Sequence, residues 1–402
     1  MRQYKDSGIE WIGKIPETWE YKRFKYSGVF EKGKLPDSSN IERIGLPIIG
    51  ASEMLGKDAR TYTSDTAVPK CSVDDILILW DGANAGITAS GLDGVVSSTA
   101  VKYTCIDKSI FPKYVAYLLK YGENYFKEKV NGTTIPHMNM VYVNDIPLLC
   151  PPFSVQQCIA DFLDEKCVEI DSLIGLQEQM IEKLKAYKQS VITEAVTKGL
   201  DPNAKLVPSG IDWIGEIPEH WDIIKVGFIF DNLDNLREPI SAEMRERNNP
   251  QYDYYGASGV IDKIDHYNVD DKVLLIGEDG ANLVMRNLPL IYKAEGKFWV
   301  NNHAHILKPR KDDYDFMAHA LEACNYRDYI TGSAQPKLSQ ENLSRVQLPV
   351  PPLSEQQAIA SYLDSKCSDI DRLIALKQQK IETLKDYKKS VIYEAVTGKT
   401  FL

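Results

Sequence analysis

Long apolar runs are missing from this chain of 402 residues, and nothing in it approaches the roughly 18 consecutive apolar residues that span a bilayer. An apolar signal core is missing too, since the N-terminus reads Met1-Arg2-Gln3-Tyr4-Lys5-Asp6. The seven cysteines are scattered and form no C-x-x-C pair, which argues against a disulfide framework or a zinc knuckle and for reduced thiols. These absences predict a cytoplasmic protein with no membrane association. Basic charge is also scarce. The 47 Lys and Arg face 57 Asp and Glu, for a net charge of -10. Counting by segment finds no basic domain: residues 1–150 hold 18 of each sign, 151–200 carry -3, 201–350 carry -8 and 351–402 carry +1. A typical DNA binder shows a basic footprint, so contact with nucleic acid would need a local patch and help from a more basic partner.

Catalytic signatures are absent as well. Asp81-Gly82-Ala83-Asn84-Ala85-Gly86 lacks the spacing and the lysine of a nucleotide-binding loop. There is no methyltransferase-type Gly-rich loop or Asn/Asp-Pro-Pro-aromatic tetrad, because the two Pro-Pro pairs follow Cys150 and Val350. His303-x-His305 offers two alternating ligands without a third, the pattern of structural histidines rather than a metal site. Cys167 and Cys367 fall on a helix seam and read as packing residues. No cofactor or metal is expected in this chain.

What is present is a repeat of about 200 residues, too long for a solenoid. Ser7-Gly8-Ile9-Glu10-Trp11-Ile12-Gly13-Lys14-Ile15-Pro16-Glu17-Thr18-Trp19 returns as Ser209-Gly210-Ile211-Asp212-Trp213-Ile214-Gly215-Glu216-Ile217-Pro218-Glu219-His220-Trp221. Pro151–Thr197 aligns without a gap to Pro351–Thr397, with 30 of 47 positions identical. Between these blocks the halves diverge, keeping fragments such as Asp81-Gly82-Ala83-Asn84 and Asp279-Gly280-Ala281-Asn282.

The matched blocks read as long helices. Each follows a Pro-Pro stop, with Ser154 or Ser354 as the expected capping residue. Leu163, Ile170, Leu184 and Val191 fall on a spacing of seven, with Ile174 and Ile181 on the companion positions four later, beside Cys167 and Lys188. Leu363, Ile370, Leu384 and Val391, with Ile374 and Ile381, repeat the pattern. Such spacing describes a coiled-coil seam, although ordinary amphipathic core helices would share it. An antiparallel pair is expected, because neither helix buries its stripe alone. Residues 163–195 would make a rod of roughly 50 Å, about one and a half turns of B-DNA.

Residues 20–150 and 222–350 mix strand-like runs, such as Ile76–Leu79 and Val273–Ile276, with short helical stretches from Pro112 and Asp313. The expected fold class is α+β: two similar α/β recognition domains, at 1–150 and 200–350, separated by spacer helices at 151–199 and 351–402 in a pseudo-twofold internal repeat. A polar loop precedes each helix. Thr133, Thr134, His137 and Asn139 in the first, with Gln335 and Lys337 in the second, suit contact with phosphates or base edges; a solvated turn would look the same. Arg60, Lys70 and Asn84 in the first half, and Tyr252, Tyr254, Tyr255, Arg286 and Asn287 in the second, are further candidate groove contacts.

The doubled Trp-Ile-Gly-x-Ile-Pro-x-x-Trp pattern, with Pro-Pro-x-Ser-x-Gln-Gln-x-Ile-Ala opening each long helix, resembles the specificity subunits of type I restriction–modification systems. The resemblance covers nearly the whole chain in order. It implies two target-recognition domains that each read half of a bipartite, asymmetric double-stranded DNA target, with the helices as an antiparallel ruler. It also implies a non-catalytic chain partnered by two adenine-methylating modification subunits and by ATP-dependent restriction subunits. S-adenosylmethionine, ATP and Mg would then act in those partners. The family's Gly-x-x-x-Pro loop matches Gly132–Pro136 and Gly332–Pro336. Ending at Leu402, soon after the second helix, the chain is expected to be complete. Two other readings remain open at this point: a coiled-coil adaptor presenting two protein-binding domains, and an enzyme sited at Asp81/Asn84 and Asp279/Asn282.

Overall fold

Two Pro-Pro stops and two proline-free heptad stretches decide the largest elements. The computed structural model describes residues 3–128, 137–241, 251–332 and 335–400. Its first long helix runs Phe153–Lys198 and its second Leu353–Val396. Each ends on a glycine in the left-handed region, Gly199 at φ 75° and Gly398 at φ 73°, where a residue without a Cβ adopts that conformation at no steric cost. Among the described residues no helix is long and apolar enough to cross a membrane.

The helix starts differ from expectation. Pro152 and Pro352 carbonyls accept the first helical amides, from Val155 and Glu355 at 2.8 Å, so Ser154 and Ser354 sit inside the first turn and do not cap it. The residue that secures each start is the buried glutamine two positions on. Gln156 accepts from Phe111 N at 2.8 Å and donates to the Ser109 and Pro151 carbonyls; Gln356 accepts from Asp313 N at 2.7 Å and donates to Pro351 O and Asp312. A buried side-chain amide must find such partners or lose its hydration uncompensated. The glutamine therefore ties each long helix to its own globule.

The chain divides into two units: residues 1–178 with 379–402, and residues 179–378. Each contains the beginning of one long helix and the end of the other. In the first unit Lys388 pairs with Asp171 at 2.7 Å, and Ile159, Leu163 and Cys167 share a core with Val391, Ile392 and Ala395, so the two segments run antiparallel. The second unit repeats this with Lys188 and Asp371 at 2.6 Å, and with Val191 and Ala195 beside Ile359 and Leu363. A lysine on each apolar seam is thereby satisfied across the pair. Of the seam residues, Leu163, Ile170, Ile181, Val191, Leu363, Ile370, Ile381, Leu384 and Val391 are buried. Ile174, Leu184 and Ile374 are only half-buried.

Each globule mixes helix and sheet. The first has a four-stranded antiparallel sheet in the order Gly28–Lys32, Ala100–Cys105, Ile76–Leu79, Thr88–Ser90, and a mixed sheet in the order Tyr62–Thr63, Leu46–Ile49, Gly94–Val96, Lys70–Cys71. Strand Ile76–Leu79 is apolar throughout because both of its faces are covered. Ile76 and Ile78 point into a core with Tyr103 and Tyr114, while Leu77 and Leu79 point into another with Ile49 and Val96. The second unit has one six-stranded sheet, ordered Phe230–Asn232, Ala304–Pro309, Val269–Gly277, Ile291–Val300, Tyr252–Gly256, Gly259–Ile264. Alternation recurs there, Leu274 and Ile276 facing one core and Val273 and Leu275 the other. Helices Pro112–Glu128 and Tyr314–Ala323 back these sheets.

The repeated tryptophan motif packs against the helix ends. Trp11 lies among Tyr121, Tyr125 and Phe126, and Tyr121 stacks on Tyr393 of the second helix at 4.9 Å. In the second unit Trp221 is buried and its Nε1 donates to Glu355 at 3.0 Å. The motif is thus a joint between globule and helix.

Candidate functional site

In both units a central strand runs out into the turn that the repeat had preserved. Ile76–Leu79 leads through Trp80 into Asp81-Gly82, and Val269–Gly277 through Glu278 into Asp279-Gly280. Gly82 at φ 95° and Gly280 at φ 104° occupy backbone conformations open to glycine. The described end of the polar loop before each long helix, at His137-Met138 and Lys337-Leu338, lies alongside this turn. Met138 N donates to Trp80 O at 2.9 Å and Leu338 N to Glu278 O at 2.7 Å. Bridges pair Asp81 with His137 and Asp279 with Lys337. Turn and loop were each visible in the sequence; their apposition was not.

The chemistry at this junction differs between the units. In the first, Asp81 holds Lys32 at 2.6 Å and His137 at 2.6 Å, and Lys32 stands 5.7 Å above the Trp80 ring. Partial burial works to raise the Asp81 carboxyl, but the hydrogen bonds from Lys32 and His137 outweigh it and hold it below its ordinary value. In the second unit Glu278 takes Arg237 at 2.5 Å and Lys337 at 3.0 Å. Behind it His305, fully buried, meets Asp234 at 2.6 Å through Nδ1, and its Nε2 donates to the Leu338 carbonyl at 2.8 Å. Burial again opposes ionisation of Asp234 and Glu278, and again the bonds from His305 and from Arg237 and Lys337 prevail and lower both. His303 turns to a separate carboxylate, Asp279, at 2.7 Å. Among the described residues no group of three His, Cys, Asp or Glu could hold a metal ion.

The sequence candidates scatter. His137 and Lys337 are exposed at the junction, with Gln335 exposed beside Lys337. Asn84 is exposed on the first turn, while Arg60, Lys70 and Asn287 are exposed elsewhere. Thr133 and Thr134 lie outside the described residues. Several assignments need correction. Tyr254 is 2% exposed, and its hydroxyl meets the Ile240 backbone, so it cannot reach a groove. Tyr255 packs edge-on to Phe298 at 5.5 Å and Tyr252 to Tyr267 at 5.3 Å; both are half-buried packing residues. Arg286 spends its guanidinium on the carbonyls of Cys324 and Glu322. Asn139 caps helix Met140–Asn144 by accepting from Val141 N. Lys32, Asp234, Arg237 and Glu278 were missed, since only long-range pairing brings them to the junction.

The family model for the type I restriction–modification DNA specificity domain matches residues 16–186 and 218–386, one match for each junction. The chain belongs to that family. Among relatives of the specificity family, the MjaVIII specificity subunit of a type I restriction enzyme from Methanocaldococcus jannaschii is 27% identical over 443 aligned positions, covering 99% of this chain and 97% of the relative. A chain solved in work on complex assembly and conformational transition of the type I restriction–modification system superposes with a TM-score of 0.71 at 15% identity, covering 96% of this chain and 99% of that one. The HsdS subunit from Thermoanaerobacter tengcongensis gives 0.51 at 14% identity, covering 98% and 100%. At these identities the structures speak to the fold of a specificity subunit, mixed helix and sheet in two domains.

Proposed function

We propose that this specificity subunit reads a bipartite, asymmetric double-stranded DNA target, one half with each recognition domain, 1–150 and 200–350. The long helices, within 151–199 and 351–402, act as one antiparallel coiled coil whose length sets the gap between half-targets. The chain contributes no catalytic centre and needs no cofactor. It directs two adenine-methylating modification subunits and ATP-dependent restriction subunits in the cytoplasm, and those partners use S-adenosylmethionine, ATP and Mg.

One observation carries this reading: the same turn-and-loop junction occurs in both units with different exposed side chains, His137 in one and Lys337 in the other. A common scaffold with unlike polar groups at one rim is what two unlike half-sites require. The chain's acidity is compatible with this if partner subunits supply much of the phosphate contact.

Mapping methylated adenines after co-expression with the neighbouring methyltransferase subunit, in a host lacking that modification, tests the proposal. The expected result is a split asymmetric motif with a fixed gap, lost when this chain is omitted. A soluble complex that methylates nothing new would instead favour the adaptor reading.

A further inference from the structure

In a chain of net charge -10, cations without a carboxylate partner are informative. Around the first unit's sheets several are neutralised: Lys32 by Asp81, Lys102 by Glu31, Lys113 by Asp164 and Lys120 by Glu123. Arg43, Lys57 and Arg60 have no ion pair among the described residues, and all three line one open cleft of about 600 Å³. Asp58 is the sole carboxylate lining it. Glu53 and Glu42 do not line it; Glu53 accepts from Gly50 N at 2.9 Å and Glu42 from Ile41 N at 3.1 Å. The lining itself therefore carries three cations against one carboxylate.

Its backbone is also held in an unusual shape. Arg43 adopts φ 62°, the left-handed region that side chains other than those of glycine and asparagine seldom occupy. Asn40 clamps the turn by accepting from Ile44 N at 3.0 Å and donating to Ile44 O at 2.8 Å. Ile41 stands 77% exposed beside it. Strain that presents a charge to solvent is characteristic of functional rims. The segment is continuous with the Asp81 turn. Ser97 N donates to Ile49 O at 3.0 Å, the Ser97 hydroxyl meets that of Thr99 at 2.9 Å, and Asp81 N donates to Thr99 O at 3.2 Å.

We infer that the cleft lined by Arg43, Lys57 and Arg60 binds the phosphate backbone of DNA beside the half-target read by the first unit. This rests on the DNA-reading function proposed above. Two guanidinium forks and an ammonium suit phosphate oxygens. An open cleft flanked by a single carboxylate contacts the strand without selecting bases, so it positions the duplex while the junction reads it.

The test is salt-dependent binding by the full chain assembled with its modification subunits. The probes are one duplex carrying the mapped target and one random-sequence duplex of equal length. The triple variant Arg43→Gln, Lys57→Gln, Arg60→Gln should weaken both by about tenfold or more. It should also flatten the slope of log K against log salt by about 2 to 3, close to one for each phosphate no longer neutralised. Removing three ion-paired cations instead, with Arg23→Gln, Lys25→Gln and Lys120→Gln, should leave the slope nearly unchanged. An unchanged slope in the first variant overturns the inference. A loss confined to the target duplex also overturns it, by making these residues base readers. Wild-type complex that binds neither duplex defeats the DNA-reading function itself, and this inference with it.

Discussion

The two units hold equivalent loops with opposite chemistry. By strand register, Val101 in the first corresponds to His305 in the second, Lys32 to Asp234 and Trp80 to Glu278. In the first unit an apolar position lies beneath the loop, and one half-exposed lysine bridges an aromatic ring and Asp81. In the second an ionic network runs from the buried Asp234–His305 pair through Arg237 and Glu278 to Lys337 at the surface. The backbone between loop and turn is the same in both, so main-chain pairing defines the scaffold and side chains are free to change on it. The ionic version is the more fragile. A buried pair is costly to leave half-made, whereas a partly exposed bridge is worth little.

The contrast between the units is open to experiment. The largest effect should come from the helices that both units share. Inserting seven residues into both seams, near Gln177 and Lys377, lengthens each helix by about 10 Å, or about three base pairs of DNA. Methylation mapping should then return the same two half-targets with a longer gap; altered half-targets would show that helix length and recognition are not separable.

Next come the carboxylates. Asp234→Ala should destabilise the second unit by about 3–5 kcal/mol by leaving His305 half-satisfied in the interior, while Asp81→Ala should cost the first about 1 kcal/mol or less. Denaturant unfolding of both variants measures this, and equal losses would erase the distinction between the units. Restoring apolar packing with Asp234→Leu plus His305→Val should recover part of the loss.

The helix-terminal glycines make a finer comparison. At Gly398 an added Cβ would lie 2.6 Å from Pro16 and 2.8 Å from Trp19, whereas at Gly199 it would lie 3.0 Å from Trp221. Gly398→Ala should therefore cost about 2–4 kcal/mol and Gly199→Ala about 1–2 kcal/mol, strain and overpacking together. Thermal unfolding in the reverse order would mean that Trp19 yields more readily than Trp221.

The smallest effect is acid sensitivity in the first unit. The hydrogen bond from Lys22, with those from Ser109, lowers the Asp107 carboxyl to about 2 from an ordinary 3.8. Because the folded-state value is the lower one, the stabilisation is complete above about pH 4 and drains away as pH falls towards 2. Lys22→Gln should shrink that slope slightly, an effect visible in unfolding midpoints measured between pH 5 and 2.

Legibility followed the range of the interaction that decided each feature. The long helices, their seams and the strand Ile76–Leu79 were readable because periodicity and apolar runs are local properties. The helix starts were misread at Ser154 and Ser354, since Gln156 and Gln356 secure them through Phe111 and Asp313, 45 and 43 residues away. Candidate contacts fared worst. Tyr254 and Arg286 have the residue types expected of a DNA-facing surface, yet each is consumed by backbone groups that fold beside it.

Residue order alone settled that matched blocks recur about 200 residues apart, that a long proline-free stretch follows the middle of each half, and that those middles diverge. It could do so because duplication and heptad spacing are linear patterns. Which polar residues remain on the rim was decided only when the chain folded. His305 finds Asp234 from 71 positions away, and His137 finds Asp81 from 56. Burial and pairing across such distances depend on how strands align, which no local pattern encodes.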